Sequence, residues 1–136
     1  MEENIKNFVV DASYLLSVIL PDEASYDKSK RNLAILINKD NKFFAPKILE
    51  FEVLNSVKTA VMCKRIGKTS TKKVLVSFNK IPINYLDIDR KRVLDISIKE
   101  DLTFYDASYL YLAKVNKCKL LTLDYHLEGM VEKEVL

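Results

Sequence analysis

Apolar residues in this chain alternate between short continuous runs and longer stretches spaced at three and four positions, the signature of strands exchanging with helices. Phe8 to Asp11 predicts a short, fully apolar strand. The following DASYLLSVIL takes helical spacing, with Ser13 as its expected cap and Pro21-Asp22 as its break. From about Glu23 to Lys39, Ala24, Lys28, Leu33, Ile35, Leu36 and Ile37 fit a partly amphipathic helix. A polar KDNK turn then leads to FFA, a second strand.

Pro46 suits the first turn of a helix from Lys47 to about Lys64, along which Ile48, Phe51, Leu54, Val57 and Val61 recur near helical period, and Gly67 is the expected stop. Thr69, Ser70 or Thr71 can cap a further helix to about Lys80, and IPINYLDI predicts a third strand. Asp89 begins a helix through about Glu100. Thr103, followed three residues later by Asp106, marks another helix start that resembles a capping box. Lys119 to Thr122 is the fourth strand, after which Asp124 opens a last turn or short helix. Right-handed crossovers would assemble these pieces into an α/β fold, a central parallel sheet of four to five strands flanked by helices.

Composition narrows the class. The 136 residues make one domain, 1–136, able to bury roughly two-thirds of the surface of the unfolded chain, and 49% hydrophobic with 30% charged residues suits a compact fold. The run Phe8 to Leu20 is not expected to be a signal peptide, because its leader MEENIKN is not basic and Asp11 interrupts it. No segment reaches the roughly 20 apolar residues of a membrane span, so the expected location is cytoplasmic.

Charge is unevenly placed. The net charge is +3, yet Val53 to Leu86 contains no acid while Lys58, Lys64, Arg65, Lys68, Lys72, Lys73 and Lys80 supply +7, leaving −4 elsewhere. Such a segment either grips a polyanion or is a solvated lysine face. Cys63 and Cys118 lack CxxC spacing and read as buried free thiols, and the single His126 excludes a multi-histidine metal site.

The acids carry the chemistry. Asp11, Glu52, Asp106 and Asp124 stand in NFVVDAS, PKILEFEVLNS, LTFYDASYLYLA and CKLLTLDYHL, at strand ends or on helices that must pack inward. Singly, Asp11 and Asp124 can be helix caps, Asp106 a first-turn acid favoured by the helix dipole, and Glu52 a solvated residue in a polar stripe with Asn55 and Thr59. In an open α/β sheet, however, strand ends and helix starts share one edge, where ligands bind. Carboxylates gathered there repel by about 3 kcal/mol per pair at about 5 Å and an effective dielectric near 20. They therefore call for Mg²⁺ or Mn²⁺, or for protons.

Other chemistries lack their parts. Neither GxGxxG nor GxxxxGK[ST] occurs, and Ser13 has only His126 as a candidate base for a triad. The DAS segment has no second acid two residues after Asp11, which weakens an aspartyl-phosphate reading. A receiver-like phosphoacceptor domain needs a paired acid cluster at the first strand, where Asp11 stands alone.

VVDASYLLSVILPDE, APKILEFEVLNSV and LTFYDASYLYLAKVNKCKLLTLD resemble the successive motifs of PIN-domain proteins, particularly the VapC toxins of type II toxin–antitoxin pairs, over Phe8 to Leu127. The resemblance implies a metal-dependent endoribonuclease that uses Mg²⁺ or Mn²⁺ and leaves a 5′ phosphate and a 3′ hydroxyl. It assigns catalysis and metal binding to Asp11, Glu52, Asp106 and Asp124, with Ser13, Asn55, Thr103 and Thr122 as their polar companions. Lys58, Lys64, Arg65, Lys68, Lys72 and Lys73 become candidates for holding RNA. It further implies a small antitoxin partner and a homodimer, with Tyr14, Leu15 and Ile19 either at an interface or in the core. The alternative is a PIN-like module that binds RNA or protein without cutting.

Overall fold

The computed structural model describes residues 6–132, so the leader through Ile5 lies outside it. Strands β1 (Asn7–Val10), β2 (Lys42–Pro46), β3 (Ile83–Leu86) and β4 (Lys119–Leu121) form a four-stranded, all-parallel sheet in the order β3-β2-β1-β4. β1 is central because its three apolar residues are buried from both faces, and Phe8 pairs with both Phe43 and Lys119. The rings of Phe8 and Phe43 stack with centroids 5.9 Å apart.

Seven α-helices join the strands among the described residues: α1 (Ala12–Ile19), α2 (Tyr26–Asn38), α3 (Ile48–Met62), α4 (Thr71–Asn79), α5 (Arg90–Glu100), α6 (Phe104–Val115) and α7 (Tyr125–Met130). The chain runs outward from β1 through β2 to β3, then returns across the sheet to β4. Right-handed crossovers in opposite directions cover opposite faces. Accordingly α1 packs with α2, α3 and α4, whereas α5 packs with α6, which lies on β1, β2 and β4. The reversal of strand order falls between β1 and β4, the place on the carboxyl edge where open α/β sheets bind ligands.

Several local expectations change. Asp11, not Ser13, caps α1, since its side chain accepts from the Tyr14 amide. Pro46 ends β2 rather than starting a helix, pairing with Leu86. On α3 the buried stripe is Leu49, Val53, Val57 and Ala60, while Phe51 and Leu54 are exposed. This helix carries apolar residues around much of its circumference, so spacing alone fits more than one stripe.

Gly67 does not stop α3. The helix closes at Lys64, which takes a left-handed φ of 59°, with the Lys64 amide on the Val61 carbonyl and the Arg65 amide on the Ala60 carbonyl. A short 3₁₀ turn, Lys68–Ser70, then precedes α4, and Ser70 makes no side-chain cap bond. Tyr14, Leu15 and Ile19 belong to the core, which settles them against an interface role. Cys118 is buried as expected, but Cys63 is exposed; both are free thiols.

Candidate active site

Asp11 follows β1 directly, and its amide extends the strand ladder by donating to the Leu121 carbonyl at 3.1 Å. That bond sets Asp11 beside the end of β4, and the side chain is only 5% exposed. Its Oδ1 accepts from the Tyr14 amide at 3.0 Å and from the Ser13 hydroxyl at 2.7 Å, while Oδ2 accepts a short bond from the Thr122 hydroxyl. Ser13 Oγ in turn accepts from the Leu123 amide at 3.0 Å, and Thr122 Oγ1 from the Asp124 amide at 3.0 Å. Two hydroxyls thus stitch the segment after β4 to the start of α1.

Asp124 is exposed and caps α7, its Oδ1 accepting from the Leu127 amide at 3.1 Å. Thr103 caps α6 by accepting from the Asp106 amide at 3.1 Å, which fixes Asp106 in the first turn. Glu52, in the second turn of α3, accepts at Oε1 from the Tyr109 phenol at 2.7 Å. That bond ties α3 to α6. Each acid therefore sits at a strand end or in the first two turns of a helix leaving the carboxyl edge.

The four carboxylates are linked by charge. Burial pushes the Asp11 carboxyl up against the downward pull of Thr122, Tyr14 and Ser13, and the Asp106 charge adds to the rise. Burial likewise raises Glu52, opposed by the Tyr109 bond and reinforced by Asp106 and Asp11. Asp106 is raised by burial first and then by Asp124, while the Thr103 hydroxyl lowers it. Asp106 is thus the hub that couples to the other three.

Among the described residues, no three His, Cys, Asp or Glu side chains are grouped so as to hold a metal ion. Asp11 has both oxygens turned to hydroxyl and amide donors. The donor set nevertheless fits a hard cation. It is all oxygen, neighbouring acids add to the rise of the Asp11, Glu52 and Asp106 carboxyls, and Glu52 and Asp124 each have one oxygen outside the bonds described.

Ser13, Thr103 and Thr122 all touch the acids or their backbone as companions, but Asn55 does not: it is exposed and its side chain bonds to none of the four. The basic candidates lie elsewhere. α3 starts at the acid edge and its 15 residues run about 22 Å, so Lys64, Arg65 and Lys68 follow its far end. Arg65 is also clamped there by Asp22 at 2.7 Å and Glu23 at 2.9 Å. Lys58 lies part-way along α3, and Lys72 and Lys73 are exposed on α4.

Tyr109 is the participant that sequence reasoning missed. It is 1% exposed, and burial together with the neighbouring Glu52 raises its pKa, keeping the phenol a donor. Within an apolar helical run it reads as core. The available clue was spacing, since Tyr109 stands three residues after Asp106 and shares its side of α6.

The PIN domain family model matches residues 8–133. A curated relative, exonuclease VapC9 of Pyrobaculum aerophilum, is 31% identical over 140 residues, an alignment that takes in 95% of this chain and 92% of the relative. The crystal structure of PAE2754 from Pyrobaculum aerophilum is similar with a TM-score of 0.71 at 23% identity, covering 93% of this chain and 81% of that one. VapC20 of Mycobacterium tuberculosis, a toxin that cleaves the sarcin-ricin loop, is similar with a TM-score of 0.66 at 13% identity, covering 90% and 93% of the two chains. At such identities both structures speak for the fold.

Proposed function

The chain belongs to the PIN domain family, and on that premise we propose that it is a divalent-metal-dependent endoribonuclease, the toxin of a VapC-type toxin–antitoxin pair. The observation that carries the reading is the position of four carboxylates, Asp11, Glu52, Asp106 and Asp124, at the carboxyl edge of the sheet, with Asp11 held by Thr122 after β4 and Glu52 held by Tyr109 of α6. These four would hold Mg²⁺ or Mn²⁺. When bound, such an ion supplies Lewis-acid stabilisation of phosphoryl oxygens and a more acidic water.

The chain's own groups prepare that site. Ser13, Thr122 and the Tyr14 amide fix the Asp11 carboxylate in one rotamer, and Tyr109 fixes Glu52 through Oε1, leaving Oε2 to a water or the ion. Thr103 sets the first turn of α6 and with it Asp106. Hydrolysis adds water across the bond from phosphorus to the 3′ oxygen, giving a 5′ phosphate and a 3′ hydroxyl. The lysines from Lys58 to Lys73 would meet RNA backbone away from the scissile bond, so affinity falls with salt.

A mixed RNA substrate tests the reading: cleavage with Mg²⁺ or Mn²⁺, none in chelator, and 5′-phosphorylated products are expected. Circular RNA decides the mode of attack, which matters because the curated relative is named an exonuclease. Conversion of circles to linear products supports internal cutting; linear RNA trimmed from its ends with circles intact assigns exonuclease action instead. The relatives named VapC also support a small antitoxin as partner, and a homodimer is proposed with it. No helix among the described residues is long and apolar enough to cross a membrane; the proposed place of its work on RNA is the cytoplasm.

A further inference from the structure

Next to the acids, at the carboxyl ends of β2 and β3, lies a cavity of about 350 Å³. Pro46, Ile48, Leu86 and Ile88 give it apolar walls. Phe104 and Tyr105, in the first turn of α6, line it while remaining 37% and 51% exposed. The volume is at the small end of the roughly 300–1,000 Å³ range of ligand pockets, suited to a flat group of modest size.

Its position relative to the acids is set by one helix turn. Tyr105 and Ser108 face the cavity, whereas the residues that follow each of them, Asp106 and Tyr109, serve the acid cluster. A ligand on Tyr105 is therefore a neighbour of whatever lies at Asp106. The rim is cationic: Arg90 has no carboxylate partner among the described residues, and Lys47 is bridged only to Asp87 at 2.7 Å with both side chains largely exposed. Such a surface bridge is cheaply exchanged for another anion.

We propose that this cavity is a subsite for one unpaired nucleobase of the substrate RNA, stacked on Tyr105 and Phe104, with Lys47 and Arg90 on the adjoining phosphate. Apolar walls, accessible aromatic faces and rim cations beside a phosphodiester-cutting site are what single-stranded RNA recognition uses. The inference rests on the nuclease reading for its ligand, but its test is binding and not turnover.

An RNA oligonucleotide carrying 2-aminopurine is titrated into the Asp11→Asn protein. Stacking on Tyr105 quenches the fluorescence on binding, and Tyr105→Phe preserves both quench and Kd. Tyr105→Ala weakens Kd by about 5- to 150-fold and reduces the quench to what Phe104 alone supplies. Tyr105 is half exposed, so Tyr105→Ala should keep the wild-type melting temperature, which is checked alongside. Equal Kd and quench for wild-type and alanine side chains at 105 overturns the proposal, as does absence of RNA binding. RNA that binds with quench but is never cut by the unsubstituted protein refutes the nuclease reading alone.

Discussion

Tyr109→Phe removes one oxygen from a side chain that is 1% exposed, leaving the core volume intact and deleting the 2.7 Å bond to Glu52. A hydrogen bond to a charged group contributes about 1.5–3 kcal/mol, and water can reach the half-buried Glu52, so the lower end, about 1.5 kcal/mol, is expected. For 136 residues at about 2.1 cal/mol/K each, the unfolding entropy is about 290 cal/mol/K, and the melting temperature should fall by about 5 °C. The bond also holds down a Glu52 carboxyl that burial raises. Its loss lifts the native-state value further, so the penalty grows as pH rises from about 5 to about 8. Thermal melts in chelator, with Glu52→Ala and the double variant completing a cycle, measure the coupling. A Tyr109→Phe penalty that is the same on the Glu52→Ala background would refute the pairing as the source of stability.

Other outcomes follow from the same geometry. Asp11, Glu52 and Asp106 all have raised native values, chiefly from burial, so their stabilising contribution is complete below the unfolded carboxyl range and lost as pH climbs through the native values. Melting in chelator should therefore occur at higher temperature near pH 5 than near pH 7.5, and Mg²⁺ should restore stability at pH 7.5 as RT ln(1 + [Mg²⁺]/Kd). Lys117, left-handed at φ 53°, closes α6 through the Cys118 amide on the Ala113 carbonyl at 2.8 Å, so Lys117→Gly should stabilise by about 0.5–1 kcal/mol in denaturant unfolding. Arg65→Ala should lower the melting temperature slightly in low salt while leaving RNA affinity unchanged, because Asp22 and Glu23 already occupy the guanidinium.

The order of elements was legible because FVV is too short and too apolar for anything but a buried strand, because KLL is a short run shortly before an acid at the sheet edge, and because Asp89 and Thr103 announce helices by caps that the structure shows. Strand ends also placed Asp11 and Asp124 at one edge. Spacing does not decide which face of an apolar-rich helix turns inward: on α3 Phe51 and Leu54 fit the helical period, yet Leu49 and Val53 are the buried residues. The direction of α3 carries Lys64 and Arg65 away from the acids despite their closeness in sequence to Glu52. Tyr109 was hidden because a phenol that bonds one carboxylate looks like any other core aromatic. Glu52 reached the site through motif resemblance, and its bond to α6 supplies the physical reason.

In the proposed function, Asp11, Glu52, Asp106 and Asp124 act as one divalent-metal site for cutting RNA, with Asp106 at its hub. Single-turnover cleavage of RNA by Asp106→Asn at saturating Mn²⁺ tests it most directly. Its rate should be at least about 100-fold below that of the unsubstituted protein, with a melting temperature in chelator equal or higher because repulsion is relieved. Cleavage within about twofold of the unsubstituted rate, from a protein that melts normally, would contradict it.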